Sequence, residues 1–150
     1  MSDSFGPFSK PPAGAKSARF DLRVGYIDTD RATVMHHAAY LRYLEAARID
    51  FFRQHGLDYR TLELERGLGL PVVEANVRYK LPAFFDDQLT ITSWITLVTR
   101  ARLRFEAVIH RDIELVTQAR ITLCCAELKN LRVCSIPQEI RDMFGTYSNN

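Results

Sequence analysis

Between Ala38 and Phe52 the chain runs without glycine or proline and is rich in Ala, Leu and Arg, all good helix formers. Tyr40, Leu44, Ala47 and Phe51 recur at helical spacing, Leu41, Tyr43 and Phe52 widen the stripe, and Arg42, Glu45, Asp50 and Arg53 stay polar. So broad an apolar stripe needs cover on more than one side, which predicts a helix mostly enclosed by a sheet. His55-Gly56 predicts its end, because Gly suits the left-handed position after a last turn.

The rest of the chain supplies that sheet. From Ser17, Phe20-Asp21-Leu22-Arg23-Val24 alternates apolar with polar as a half-buried strand does. In Val73 to Leu81 every second residue from Val73 is apolar. Leu89, Ile91, Ile95 and Leu97 share one face, with threonines and Trp94 on the other, and Leu103, Phe105, Ala107 and Ile109 repeat the pattern. Arg111-Asp112 predicts a turn, Leu115 to Val133 a long, bulged last strand, and Leu57 to Gly67 a partly helical connection. Ser135-Ile136-Pro137-Gln138 has the form of a capping box for a short helix ending near Phe144. A strand, a long helix and then four strands predict the α+β class, a five-stranded antiparallel sheet wrapped around one central helix.

A length of 150 residues with 47% hydrophobic side chains suits a single core. The domain is expected over 17–145, between a Pro-, Gly- and Ser-containing flexible leader over 1–16 and a flexible tail over 146–150. A net charge of +2 is too mild for a protein devoted to nucleic-acid backbones, and no stretch has the length of a membrane span or the form of a signal peptide. Cys124, Cys125 and Cys134 are an odd count without CxxC spacing, which reads as small core residues in a reducing, cytoplasmic setting.

Chemistry concentrates just ahead of the long helix, in Tyr26-Ile27-Asp28-Thr29-Asp30-Arg31-Ala32-Thr33-Val34-Met35-His36-His37. A carboxylate at Asp30 is ionised at neutral pH and can attack a carbonyl carbon or deprotonate a water; Asp28 and Asp30 can equally be turn-forming or capping acids. A helix beginning near His37 would offer the unpaired amides of His37, Ala38 and Ala39 to an oxyanion, helped by the helix dipole. Neighbouring histidines splay apart and no third ligand is spaced near His36 and His37, which argues against a metal. Glu45 and Arg48, three residues apart on the helix, are placed to pair; the alternative is Glu45 as a second catalytic acid, its side chain turned toward a neighbouring subunit's Asp30.

Tyr26-x-Asp28-Thr29-Asp30, Val34, His37-Ala38-x-Tyr40-Leu41, Tyr43 and Glu45-Ala46-x-Arg48, with the later Val77-x-Tyr79-x-x-Pro82 and Asp86 or Asp87, resemble the 4-hydroxybenzoyl-CoA thioesterase family, especially its Tol-Pal-associated acyl-CoA thioesterase branch. The resemblance spans roughly residues 19 to 140. It implies a hotdog fold, a coenzyme A thioester as substrate, hydrolysis without metal or cofactor, and homotetramers of hotdog dimers. It maps the catalytic carboxylate to Asp30 and a substrate-orienting or donating histidine to His37. Tyr26, Thr33, Met35, His36 and Glu45 are then expected at the substrate, and Arg78, Lys80, Arg102 and Arg104, on or beside predicted strands, are candidates for the nucleotide phosphates. Two positions depart from the pattern: Thr33 stands where the family has glycine and His36 where it has tyrosine, so a changed loop path and altered substrate preference are expected. A module that binds acyl-CoA or acyl carrier protein without cleaving it, and a dehydratase using His37 as base, are the competing readings.

Overall fold

A computed structural model describes residues 10–145 of the chain. The expected tail and the first nine residues of the expected leader lie outside them; within them, Lys16 donates to the carbonyl of Met143 and sits over the ring of Phe144.

The main sheet consists of β1 (Ser17–Arg23), β3 (Val72–Tyr79), β4 (Gln88–Val98), β5 (Arg102–Arg111) and β6 (Glu114–Cys124), ordered β1-β4-β5-β6-β3 and antiparallel throughout. Two short strands, β2 (Leu68–Gly69) and β7 (Ala126–Glu127), pair separately. The long helix, α1 (His37–Gln54), lies against the inner sheet face, with α2 (Tyr59–Arg66) following it and α3 (Gln138–Phe144) closing one end. This is the hotdog architecture, one sheet curled around one helix.

Register explains how α1 seats. The row Ala18, Ser93, Ala107 and Ala119 crosses β1, β4, β5 and β6 with small buried side chains. Larger rows flank it, Ile91–Ile109 on one side and Ile95–Phe105–Ile121 on the other. Two aromatic residues of α1 pack on the second of these larger rows. Phe51 and Phe52 meet Phe105 edge to face, at centroid distances of 5.0 and 5.5 Å, and Phe144 of α3 closes on Phe51 at 5.5 Å. Burying each such ring contributes about 1.5–3 kcal/mol, so the far end of α1 is its anchor.

The helix is longer than the predicted Ala38 to Phe52 by one residue at the start and two at the end, and it stops at His55-Gly56 with Gly56 at φ +86°. Of its expected stripe, Tyr40, Leu44, Ala47, Phe51 and Phe52 are buried, while Leu41 is 45% exposed. Other expectations need correction. The strand from Val73 forms, but it is a sheet edge with a bulge between Val72 and Glu74, so Val73 is exposed and only Val77 of the alternating set packs on the core. A second bulge, between Ile95 and Leu97, flips the parity of β4, burying Val98 where Leu97 was expected. The last strand ends at Cys124, after which the chain leaves the sheet to pair β7 with β2. The terminal helix forms without the capping box: Pro137 is its cap, and Ser135 accepts from Arg100 instead.

Candidate active site

Leaving β1, the chain makes a 3₁₀ turn over Tyr26–Asp28 and then a tight hairpin whose arms meet at Thr29 and Met35. Asp30 starts the turn: its carbonyl accepts from Thr33 N at 3.0 Å, and its amide donates to Val34 O at 2.9 Å. This is a three-residue loop whose last residue takes the left-handed region, and Thr33 does so with φ +63°. Thr33, at the position where glycine was expected, adopts the left-handed backbone open to glycine: a β-branched residue is held in a glycine conformation. What holds it is the β3–β4 connection, where Phe85 N donates to Thr33 O at 2.9 Å and Ala83 O accepts from Met35 N at 2.8 Å.

The loop fixes the Asp30 carboxylate. Oδ1 accepts from Ala32 N at 2.8 Å and Val34 N at 3.2 Å, whereas Oδ2 has no partner among the described residues. One oxygen is thus anchored by two amides and the other is available, on an exposed side chain.

His36 caps α1, with its own amide donating to Asp28 O at 2.8 Å. Among the described residues the amides of His37 and Ala38 make no backbone hydrogen bond. The amide of Ala39, also expected to be available, donates to His36 O at 3.0 Å and is already engaged. Asp30, Val34, Met35, His36, His37 and Ala38 line a cleft of about 470 Å³, so the residues that carry the free carboxylate oxygen and the two unpaired helix N-terminal amides border one space. Next to it a cavity of about 230 Å³ is bounded by His37, Tyr40, Tyr79, Lys80, Leu81 and Pro82, among others.

Asp28 has a different environment. It is 8% exposed and accepts from the Arg42 guanidinium and the Tyr43 hydroxyl, both on α1. Tyr43 also accepts from Gly25 N at 3.3 Å. Asp28 therefore braces the turn against the helix. A second brace acts on the β3–β4 connection: Asp87 Oδ2 accepts from Phe84 N at 2.8 Å and from Arg111 at 2.7 Å, while Arg111 also donates to Pro82 O at 3.1 Å. The ion pair holds Arg111 above its usual value.

Other expected site residues are dispersed. Met35 borders the cleft but is 2% exposed and belongs to the core. Tyr26 is 73% exposed, packs edge to face on Phe85 at 5.3 Å, and is not a wall of the cleft. Thr33 holds the loop rather than facing the cleft. Glu45 lines a separate cavity of about 300 Å³ with Arg48, Ile49, Tyr59, Glu63 and Leu70, beside the β2 and β7 pair. The expected Glu45–Arg48 ion pair does not form among the described residues; burial lowers Arg48 below its ordinary value, with Glu45 and Tyr59 opposing. The basic candidates also separate. Lys80 borders the His37 cavity and Arg78 lies nearby on β3, but Arg102 pairs with Cys124, eight residues along β6 from Val116, which accepts from Lys80 N. At 3.3 Å per residue that is roughly 26 Å. Arg104, opposite Thr122, shares that distant end.

Two contacts at the site went unread in the sequence. Tyr79 stacks on His37 with centroids 4.4 Å apart, and the Tyr40 hydroxyl accepts from Ala83 N at 3.3 Å. The signal available was the Tyr79-x-x-Pro82 motif, whose Tyr79 ends β3 opposite Thr117. Among the described residues no three His, Cys, Asp or Glu side chains gather as a metal site, and no helix is long and apolar enough to cross a membrane.

Against known proteins, the thioesterase-like superfamily model matches residues 24–144. An acyl-CoA thioesterase of Haemophilus influenzae, YbgC, is 30% identical over 125 residues, covering 83% of this chain and 92% of that protein. A putative esterase of Aquifex aeolicus is also 30% identical, over 81% of this chain and 92% of its own. Among solved structures, 4-hydroxybenzoyl CoA thioesterase from Pseudomonas sp. strain CBS-3 superposes with a TM-score of 0.79 at 28% identity, covering 86% of this chain and 99% of that one.

Proposed function

The chain belongs to the thioesterase-like superfamily, and on that premise we propose that it is an enzyme hydrolysing an acyl- or aroyl-CoA thioester to the free acid and coenzyme A, with Asp30 at the reacting carbonyl. The observation that carries the reading is the shared cleft, bordered by Asp30, whose Oδ2 is unpartnered among the described residues, and by His37 and Ala38, whose amides make no backbone hydrogen bond. In this reading the thioester oxygen lies at the helix N-terminus, where two unpaired N–H groups and the dipole stabilise the oxyanion. Oδ2 then acts in one of two ways. As a nucleophile it bonds to the carbonyl carbon, the carbon–sulfur bond breaks, the thiolate of coenzyme A leaves, and water cleaves the resulting anhydride. As a general base it takes a proton from the water that attacks. A single turnover in ¹⁸O-labelled water that leaves label in the Asp30 carboxylate identifies the first route, because water has then attacked the Asp30 carbonyl of the anhydride.

His37, held flat against Tyr79, orients the thioester, and His36 contributes to acyl selectivity at the mouth of the cleft. Lys80 is the favoured phosphate contact because it alone of the basic candidates borders an adjoining cavity. A homotetramer of hotdog dimers is the proposed assembly, motivated by the exposed edge of β3, where Val72 and Val73 stand open to solvent. A cytoplasmic setting fits the three free cysteines.

The test is a panel of short, long and aromatic acyl-CoAs assayed for thiol release. Turnover of at least one member is expected. Tight acyl-CoA binding with no thiol released over hours would instead support the non-catalytic module, and an enoyl product from a 3-hydroxyacyl thioester would support the dehydratase.

A further inference from the structure

Beyond the cleft, the structure brings together two cysteines that are nine residues apart in sequence. Cys125 follows the end of β6 and Cys134 lies on the returning arm of the hairpin that β7 begins. Ala126 and Val133 pair antiparallel, which sets Cys125 directly opposite Cys134, and Cys134 N donates to Cys125 O at 2.9 Å. Opposed residues on antiparallel arms have Cα atoms about 4.5–5.5 Å apart, inside the roughly 4.4–6.8 Å that a disulfide spans. The two Sγ atoms are 3.5 Å apart. They need only close to about 2.0 Å, a movement that rotation about both Cα–Cβ bonds supplies. Cys124, the last residue of β6, makes no hydrogen bond to either thiol among the described residues.

The two thiols differ in access. Cys125 is fully buried, whereas Cys134 is half-buried and so meets an oxidant first. Burial, reinforced by the neighbouring Cys134, pushes the Cys125 thiol up to about 12, which keeps it a protonated, unreactive partner until Cys134 has been activated.

We propose that Cys125 and Cys134 form a peroxide-responsive pair that closes reversibly to an intramolecular disulfide. The Cys134 sulfur attacks the peroxide, the O–O bond breaks, and sulfenic acid and one water or alcohol result. The Cys125 sulfur then attacks the sulfenic sulfur; the S–O bond breaks, hydroxide leaves, and it takes the Cys125 proton as water. Two thiols are oxidised and one peroxide is reduced. The bond would pin the hairpin, whose Leu128 lies where a Cβ on Gly69 of β2 would come within 2.7 Å, and whose Leu128 and Leu131 wall the cavity at Arg48. In a reducing compartment such a bond is transient, as a sensing pair requires. Nothing here depends on the thioesterase reading.

The test uses the reduced full chain, treated with hydrogen peroxide, alkylated and cut with trypsin. Cleavage after Arg120, Lys129, Arg132 and Arg141 places Cys124 and Cys125 on one peptide and Cys134 on another. Expected is a linked pair of these peptides, lighter than their sum by two hydrogens and released by dithiothreitol. It should persist in Cys124→Ser and vanish in Cys134→Ser, a half-buried position where folding is expected to survive. Peroxide that leaves Cys134 alkylated, or carries it to sulfinic acid without a link, overturns the proposal. So does a link through Cys124 or between chains.

Discussion

Thr33 is the residue where backbone geometry and catalytic geometry meet. It holds φ +63°, a conformation that costs a residue with a Cβ roughly 1–2 kcal/mol. Replacing it with glycine releases that strain but widens the unfolded ensemble, a loss of about 0.5–1 kcal/mol. Among the described residues its hydroxyl bonds only the adjacent Ala32 carbonyl, on the surface, and water replaces that contact. Thr33→Gly should therefore stabilise the protein by about 0.7 kcal/mol, raising the melting temperature by roughly 1–3 °C for a chain of this size. Ala32, one residue earlier, is not at positive φ, so Ala32→Gly should destabilise by about 0.5–1 kcal/mol. Paired urea titrations of the two variants measure the contrast. Thioester turnover of Thr33→Gly should stay within about twofold of wild type, because Asp30 is anchored through the amides of Ala32 and Val34 and not through the Thr33 side chain. Equal destabilisation by both glycines, or a tenfold loss of turnover in Thr33→Gly, would refute the claim that Thr33 is strained while its side chain is idle.

Two further substitutions separate bracing from chemistry. Asp28→Asn removes the charge that receives Arg42 and Tyr43, and should cost about 1.5–3 kcal/mol in urea while lowering kcat far less than a change at Asp30 does. Unchanged stability with lost activity would give Asp28 a chemical role instead. Arg111→Gln frees the connection that latches Thr33 and Met35, and should lower both stability, by about 1–3 kcal/mol, and kcat/KM, with Arg111→Lys recovering part of each. Wild-type turnover in the glutamine variant would show that the latch does not need this clamp.

Much of the fold was legible because it rests on local pattern. The unbroken stretch from Ala38 and the alternating runs in β1, β4 and β5 needed no distant information, and each stands where it was expected. The misses are where register or a sheet edge overrides alternation. A single extra residue at Thr96 exchanges Leu97 for Val98, and Val73 loses its cover because β3 is the sheet edge among the described residues. At the site, the local features were readable: a carboxylate in a turn and a helix starting at His37. Their partners were not, since Tyr79, Ala83, Asp87 and Arg111 reach the loop only through the curl of the sheet. Glu45 lies two helical turns beyond His37 and lines another cavity of its own chain; its expected reach is to a neighbouring subunit's Asp30, which the sequence of one chain does not place. The Cys125–Cys134 pairing was likewise hidden, because the long strand expected through Val133 would have kept the two sulfurs apart.

The central claim is that Asp30 performs the chemistry on a thioester. Its most direct test compares thiol release by wild type and Asp30→Asn on the best acyl-CoA of the panel, with urea titrations of both. Asparagine keeps the oxygen that Ala32 and Val34 anchor and loses the reactive charge. The account predicts turnover reduced by at least about a thousandfold, or roughly 4 kcal/mol of transition-state stabilisation, with stability within about 0.5–1 kcal/mol of wild type. Turnover within a fewfold of wild type, in a variant equally well folded, would contradict it.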